Sequence, residues 1–113
     1  MDITHDDYQV RYDESGSTVS CHGSFRLHGE EYKPILDLLV SAANAKPATL
    51  TLDVQELQFL NSSGINTLSK FILQVRKLKA SQVVVKGSGQ YPWQAKSLKN
   101  LQRLLPGLQL EIL

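Results

Sequence analysis

Between Thr49 and Lys79 an alternating segment runs through a short polar turn into a long amphipathic one. Leu50, Leu52 and Val54 alternate with Thr49, Thr51 and Asp53, the period-two signal of a strand, and Leu57, Phe59 and Leu60 carry apolar mass up to Asn61-Ser62-Ser63-Gly64. Beyond that turn Ile65, Leu68, Phe71, Ile72, Val75 and Leu78 recur at three- and four-residue spacing. At roughly 100° per residue they form one stripe of a helix, and that stripe predicts a core beneath it. Gly64 projects to the same side, where a missing side chain lets the first turn approach a sheet closely. Asn61 and Ser62 both qualify as the N-cap, each with an oxygen able to accept from an orphan backbone N–H.

The opposite face of this helix collects Ser62, Ser63, Asn66, Lys70, Leu73, Gln74 and Lys77 and is polar apart from Leu73. An ordinary solvated face with one exposed leucine is one reading. The other is a partner-binding surface that begins at Asn61, with two hydroxyls at the positive end of the helix dipole, where a phosphate would meet free N–H groups.

The flanking segments extend the same alternation of element types. Met1 to Asp7 is polar and without period, which predicts a frayed end. Tyr8, Val10 and Tyr12 then alternate up to Asp13, Glu14-Ser15-Gly16-Ser17 reads as a turn, and Thr18 to Leu27 completes a hairpin. Gly23 inside that second strand predicts a bulge or bend. Tyr32, Ile35, Leu36, Leu39, Val40 and Ala43 place a helical stripe across roughly Glu30 to Ala45, with Pro34 in the tolerated first turn and Lys46-Pro47 as the stop.

After the central helix, Gln82-Val83-Val84-Val85-Lys86 has the continuous apolar character of a buried parallel strand. Gly87-Ser88-Gly89-Gln90 lacks the lysine and hydroxyl of a phosphate-binding loop and reads as a plain turn. A last helix opens at Pro92 with Trp93, Leu98, Leu101, Leu104 and Leu105 apolar, stops at Pro106-Gly107, and yields to an edge strand through Leu108, Leu110 and Ile112. Lys96, Lys99 and Arg103 share one side of that helix. With Trp93 they make either a solvated cationic face or a second site for an acidic or phosphorylated partner, in which Trp93 is the anchor or else caps the core.

A chain of 113 residues suits one domain, here residues 1–113, and the expected architecture is an N-terminal β-hairpin followed by helix-strand repeats. This is an α/β class with a mixed sheet of about five strands and helices packed on it. A net charge of +1 offers no bulk attraction for nucleic acid or an anionic membrane. The lone Cys21 cannot form an internal disulfide, and no apolar run reaches the about 18 residues of a membrane helix, which together predict a cytoplasmic protein. His5, His22 and His28 have no metal-site spacing, and Asn61-Ser62-Ser63-Gly64 lacks the preceding glycine of a nucleophile elbow. No catalytic residue, metal or cofactor is expected.

The segment LTLDVQELQFLNSSGINTLSKFILQVRKLKASQVVVKG resembles the core of a STAS domain, the family that includes bacterial anti-sigma factor antagonists. With SLKNLQRLLPGL it is most similar to a small, poorly characterised bacterial group of that kind. The resemblance implies a single STAS-like domain acting as a protein-interaction module. It also implies phosphorylation of the first serine of the turn, here Ser62, by a partner serine kinase that is itself an anti-sigma-type protein, with reversal by a cognate phosphatase; Ser63 is the neighbouring candidate. Two acidic positions of the family pattern differ here, with Asn61 before the serine and Arg26 in GSFRLHGEEYKPILDLL, the segment that resembles the family's link to the first helix. A scaffold subunit without a phosphoswitch and a small-ligand or nucleotide-binding domain are the alternative functions.

Overall fold

In a computed structural model the chain is described from Asp2 to Leu113 and forms one six-stranded mixed sheet with its strands side by side in chain order. The elements are β1 (Asp2–Thr4), β2 (Tyr8–Asp13), β3 (Thr18–Phe25), a 3-10 turn (Gly29–Tyr32), α1 (Lys33–Asn44), β4 (Thr49–Leu60), α2 (Ser62–Leu78), β5 (Gln82–Gly87), α3 (Pro92–Leu104) and β6 (Gln109–Ile112). β1, β2 and β3 pair antiparallel, while β3, β4, β5 and β6 pair parallel. Each parallel step is made through one helix in the same direction along the sheet, and the right-handed rule for such crossovers puts all three helices on one face. α2 lies in the middle of that layer, against α1 on one side and α3 on the other.

Two expectations need correction. The segment predicted to fray carries a sixth strand, because Asp2, Ile3 and Thr4 pair with Arg11, Val10 and Gln9 and Ile3 packs against the core; Met1 lies outside the described residues. The expected helix start near Glu30 is a 3-10 turn, and α1 proper begins at Lys33 with Pro34 in its first turn.

The core between sheet and helices takes Val19, Cys21 and Phe25 from β3, Leu50, Leu52, Val54 and Leu57 from β4, and Val83 and Val85 from β5. From the helices come Ile35, Leu38, Leu39, Leu68, Phe71, Ile72, Val75, Leu98 and Leu101. Leu36 and Val40 of the α1 stripe and Ile65 of α2 are half-buried at its margin, as is Gln74 on the side expected to be exposed. Cys21 is buried, and desolvation, aided by Asp53, pushes its thiol up to about 12, so it stays protonated and inert.

β4 is twice the length its alternation indicates. It continues from Val54 to Leu60 along β3 with two register shifts, at Ser20/His22 and Gly23/Ser24, each adding a residue to β4. The irregularity read from Gly23 is there, but the extra residues sit across from it. β5 pairs only with Thr49 to Asp53, so the distal half of β4 has no strand on that side. The start of α3 fills the place. Gln94, 0% exposed, donates from Nε2 to the carbonyls of Val54 and Leu57 at 2.7 and 2.9 Å, and its Oε1 accepts from the Ser88 N–H at 2.7 Å. Beside it the Trp93 indole N–H donates to the Gln58 carbonyl at 2.9 Å. Two side chains thus do for the overhanging strand what a neighbouring backbone would otherwise do.

Candidate functional site

The long β4 delivers the turn Asn61–Gly64 to the end of the sheet, where β3 also ends and the 3-10 turn begins. Asn61 is the N-cap of α2: its Oδ1 accepts from the Gly64 N–H at 2.9 Å. The same oxygen accepts from the Tyr32 hydroxyl at 2.7 Å, and Nδ2 donates to the Leu27 carbonyl at 2.7 Å. The backbone of Asn61 is held as well, since its N–H donates to the Phe25 carbonyl and its own carbonyl accepts from Ile65. One amide thereby ties the helix start to the end of β3, the loop after it and the 3-10 turn. Only an amide can do this, because the group must accept on one side and donate on the other. A carboxylate would cap the helix equally well but would turn a lone pair toward the Leu27 carbonyl. Where the STAS pattern that the sequence resembles carries an acid, this chain has an amide that donates to the Leu27 carbonyl.

Gly64 is buried beneath this cap, and a Cβ there would run into the Leu60 side chain and the Tyr32 hydroxyl. The close approach read from its position on the apolar side is present. Tyr32 is itself buried, and desolvation raises its phenol above the ordinary value, which keeps the hydroxyl a donor to Asn61.

Ser62 and Ser63 follow as the first two helical residues, and the structure separates them. Ser62 is exposed. Ser63 is half-buried at the floor of an open cleft of about 390 Å³ between the start of α1 and the first turns of α2, with the Gly29 N–H directed at its Oγ from 3.4 Å. Because Asn61 occupies the Gly64 N–H, the N–H groups of Ser62 and Ser63 are the free donors of the helix end. Among the described residues no histidine or carboxylate hydrogen-bonds to either hydroxyl, and no group of three or more His, Cys, Asp or Glu is placed to hold a metal.

From Ser62 the outer crest of α2 runs through Asn66, Leu73 and Lys77, all exposed, with Leu73 45% accessible. Lys70 leans to the α1 side and lines the cleft with Asn66, Glu30 and Asp37, while Gln74 is half-buried. The sequence-derived surface is therefore a crest plus one wall of a cleft. Lys96, Lys99 and Arg103 are exposed together on α3, but Trp93 is half-buried and its N–H is spent on β4. A contact that the sequence does not show pairs Phe59, expected as apolar mass, with Arg26: the ring is 40% exposed and lies under the guanidinium at 4.9 Å. Gln94 was legible, since it stands four and seven residues before Leu98 and Leu101 on the buried side of α3.

No protein-family model and no curated protein sequence matches this chain. Solved structures do. A chain of the complex between the diguanylate cyclase SiaD and its activator SiaC from Pseudomonas aeruginosa superposes with a TM-score of 0.74 at 14% identity, covering 100% of this chain and 99% of that one. SiaC of Pseudomonas aeruginosa gives 0.73 at 16% identity, covering 100% and 96%. An anti-sigma factor antagonist from Mycobacterium paratuberculosis gives 0.60 at 20% identity, covering 96% and 82%. At these identities the likeness concerns the fold, and the fold of this chain is that of a STAS-like domain.

Proposed function

We propose that this protein is a non-catalytic interaction module that docks a partner protein on the crest of α2 and is switched by phosphorylation of Ser62. The observation that carries the reading is the contrast between a rigid turn and the free hydroxyl it presents. Asn61 fixes the backbone through five partners, and Ser62 stands exposed at the head of Asn66, Leu73 and Lys77. Proteins of this fold include an activator of a diguanylate cyclase and an anti-sigma factor antagonist, which supports a role exercised by binding.

A phosphate on Ser62 brings roughly −1.5 to −2 charges to the free N–H groups of the helix end. The helix terminus favours that anion by only about 0.3–1 kcal/mol, too little to rearrange a domain, so the switch is local: it changes what a partner meets on the crest. The writer is a serine kinase and the eraser a phosphatase. Phosphosite mapping of the protein isolated from its native cells tests this. Phosphate on Ser62 is the expected result, and stoichiometric absence of phosphate under conditions where partner binding changes would refute the switch.

A further inference from the structure

Ten of the eleven acidic residues precede Leu57, eight of the twelve Lys and Arg follow it, and from Leu57 to Leu110 there is no Asp or Glu. The net charge of +1 conceals this division. Because the strands lie side by side in chain order, a division along the sequence is also one in space. The β1–β3 end with α1 holds the acids, and the end with α2, β5 and α3 holds the bases.

α2 and α3 pack together, and Arg76 Nη1 reaches the Leu104 carbonyl at 3.4 Å to join them. Their outer sides present Arg76, Lys77, Lys79, Lys96, Lys99 and Arg103, all exposed and none paired with a carboxylate among the described residues. Neither helix contains an acid to offset them. A face of one sign costs self-repulsion, which an ordinary solvated helix pair avoids by mixing signs.

We propose that this α2–α3 face is a docking surface for an acidic amphipathic segment of a partner protein. Charge complementarity selects an anion, and Leu73 selects its kind. The leucine stands on the crest of α2 beside Lys77, 45% exposed, and a segment with one apolar residue among carboxylates covers it where a phosphate backbone would not. The two rings that α2 and α3 carry are Phe71, which is buried, and Trp93, half-buried with its N–H bound to Gln58, so neither helix offers an open ring to stack on bases. A single leucine also gives too little apolar area to seat a helix layer in a lipid interface. The surface acts in the unmodified protein and stands whether or not Ser62 is ever phosphorylated.

The test is binding of the whole unmodified chain to three labelled probes: a helical peptide with glutamates flanking one leucine, a DNA duplex, and vesicles containing anionic phosphatidylserine. The peptide is expected to bind best, with an affinity that falls as salt rises and is lost when its glutamates are replaced by glutamines. The combined change Lys96→Glu, Lys99→Glu and Arg103→Glu should weaken it by roughly tenfold or more with an unchanged melting temperature, and Lys99→Glu alone by a smaller factor in the same direction. Leu73→Ala should weaken it at every salt concentration. Tighter binding of the duplex or the vesicles than of the peptide would overturn the proposal, as would a peptide affinity indifferent to the charge reversals or no binding of the peptide at all.

Discussion

The Tyr32 hydroxyl donates a 2.7 Å hydrogen bond to Asn61 Oδ1, joining residues 29 positions apart in the sequence and locking the start of α2 onto the 3-10 turn. The bond matters because the same amide spends its N–H₂ on the Leu27 carbonyl at 2.7 Å. The turn that presents Ser62 is thus held from two directions by one side chain.

Replacing that amide by its isosteric acid separates the two roles. Asn61→Asp keeps the acceptor for Gly64 and Tyr32 but opposes the Leu27 carbonyl, and it should cost about 1–3 kcal/mol in urea denaturation near neutral pH. Lowering the pH should restore part of the loss, because a protonated carboxyl can donate where a carboxylate cannot. A variant as stable as the parent at neutral pH would show that the Leu27 bond contributes nothing. Asn61→Asp also supplies the acid that the STAS pattern carries before its serine, so if a kinase reads that acid, recognition and stability should move in opposite directions.

Alkaline pH probes the other end of the same bond. The Tyr32 phenol is raised by burial, as is that of Tyr8, so in both the folded state favours the neutral form more than the unfolded chain does. The stability this provides is full below the ordinary tyrosine value of about 10 and is lost as pH rises above it through the raised folded values. Urea midpoints measured across that range should fall. Tyr32→Phe should flatten part of the fall while costing about 1 kcal/mol at neutral pH, and an unchanged alkaline limb would remove Tyr32 from the account.

Gln94 is the test of how the overhang of β4 is held. Gln94→Ala leaves the Val54 and Leu57 carbonyls and the Ser88 N–H without their partner, and should cost about 2–4 kcal/mol by chemical denaturation. Gln94→Glu keeps the shape and should cost at least as much, because it aims a carboxylate at two carbonyls. A loss under about 0.5 kcal/mol, the range of ordinary surface changes, would mean that water replaces the side chain easily.

The central strand and helix were legible because each repeats one period for long enough to define a face. Ile72 and Val75 are buried where the stripe puts them. The sixth strand was not legible: three residues are too few for a period, and Ile3 is the only one of them that touches the core. The overhang of β4 escaped because two bulges break its alternation after Val54, so Phe59 counted as core mass and instead lies exposed under Arg26. Of the candidate site, the serines, Leu73 and the α3 cations could be read as a polar face. The N-cap role of Asn61 could be read as well, but its bonds to Tyr32 and Leu27 and that of Trp93 to Gln58 could not, since these partners lie 29 to 35 residues away.

Two neighbours on α2 separate folding from binding. Ile72→Ala empties a fully buried position and should cost about 2–5 kcal/mol. Leu73→Ala, one residue on, should change stability by no more than about 0.5 kcal/mol while weakening partner binding. Equal losses of stability in denaturation would mean that the crest is not the outer face.

The switch is tested most directly by quantitative capture of partners from native cells on three forms of the whole protein: unaltered, Ser62→Asp and Ser62→Ala. With melting temperatures matched, at least one partner should be held by the Ser62→Ala form and the unaltered chain and lost from Ser62→Asp, and the same partner should be weakened by Leu73→Ala. If the Ser62→Asp form retains every partner at undiminished abundance, Ser62 is no switch and the turn serves only to start α2.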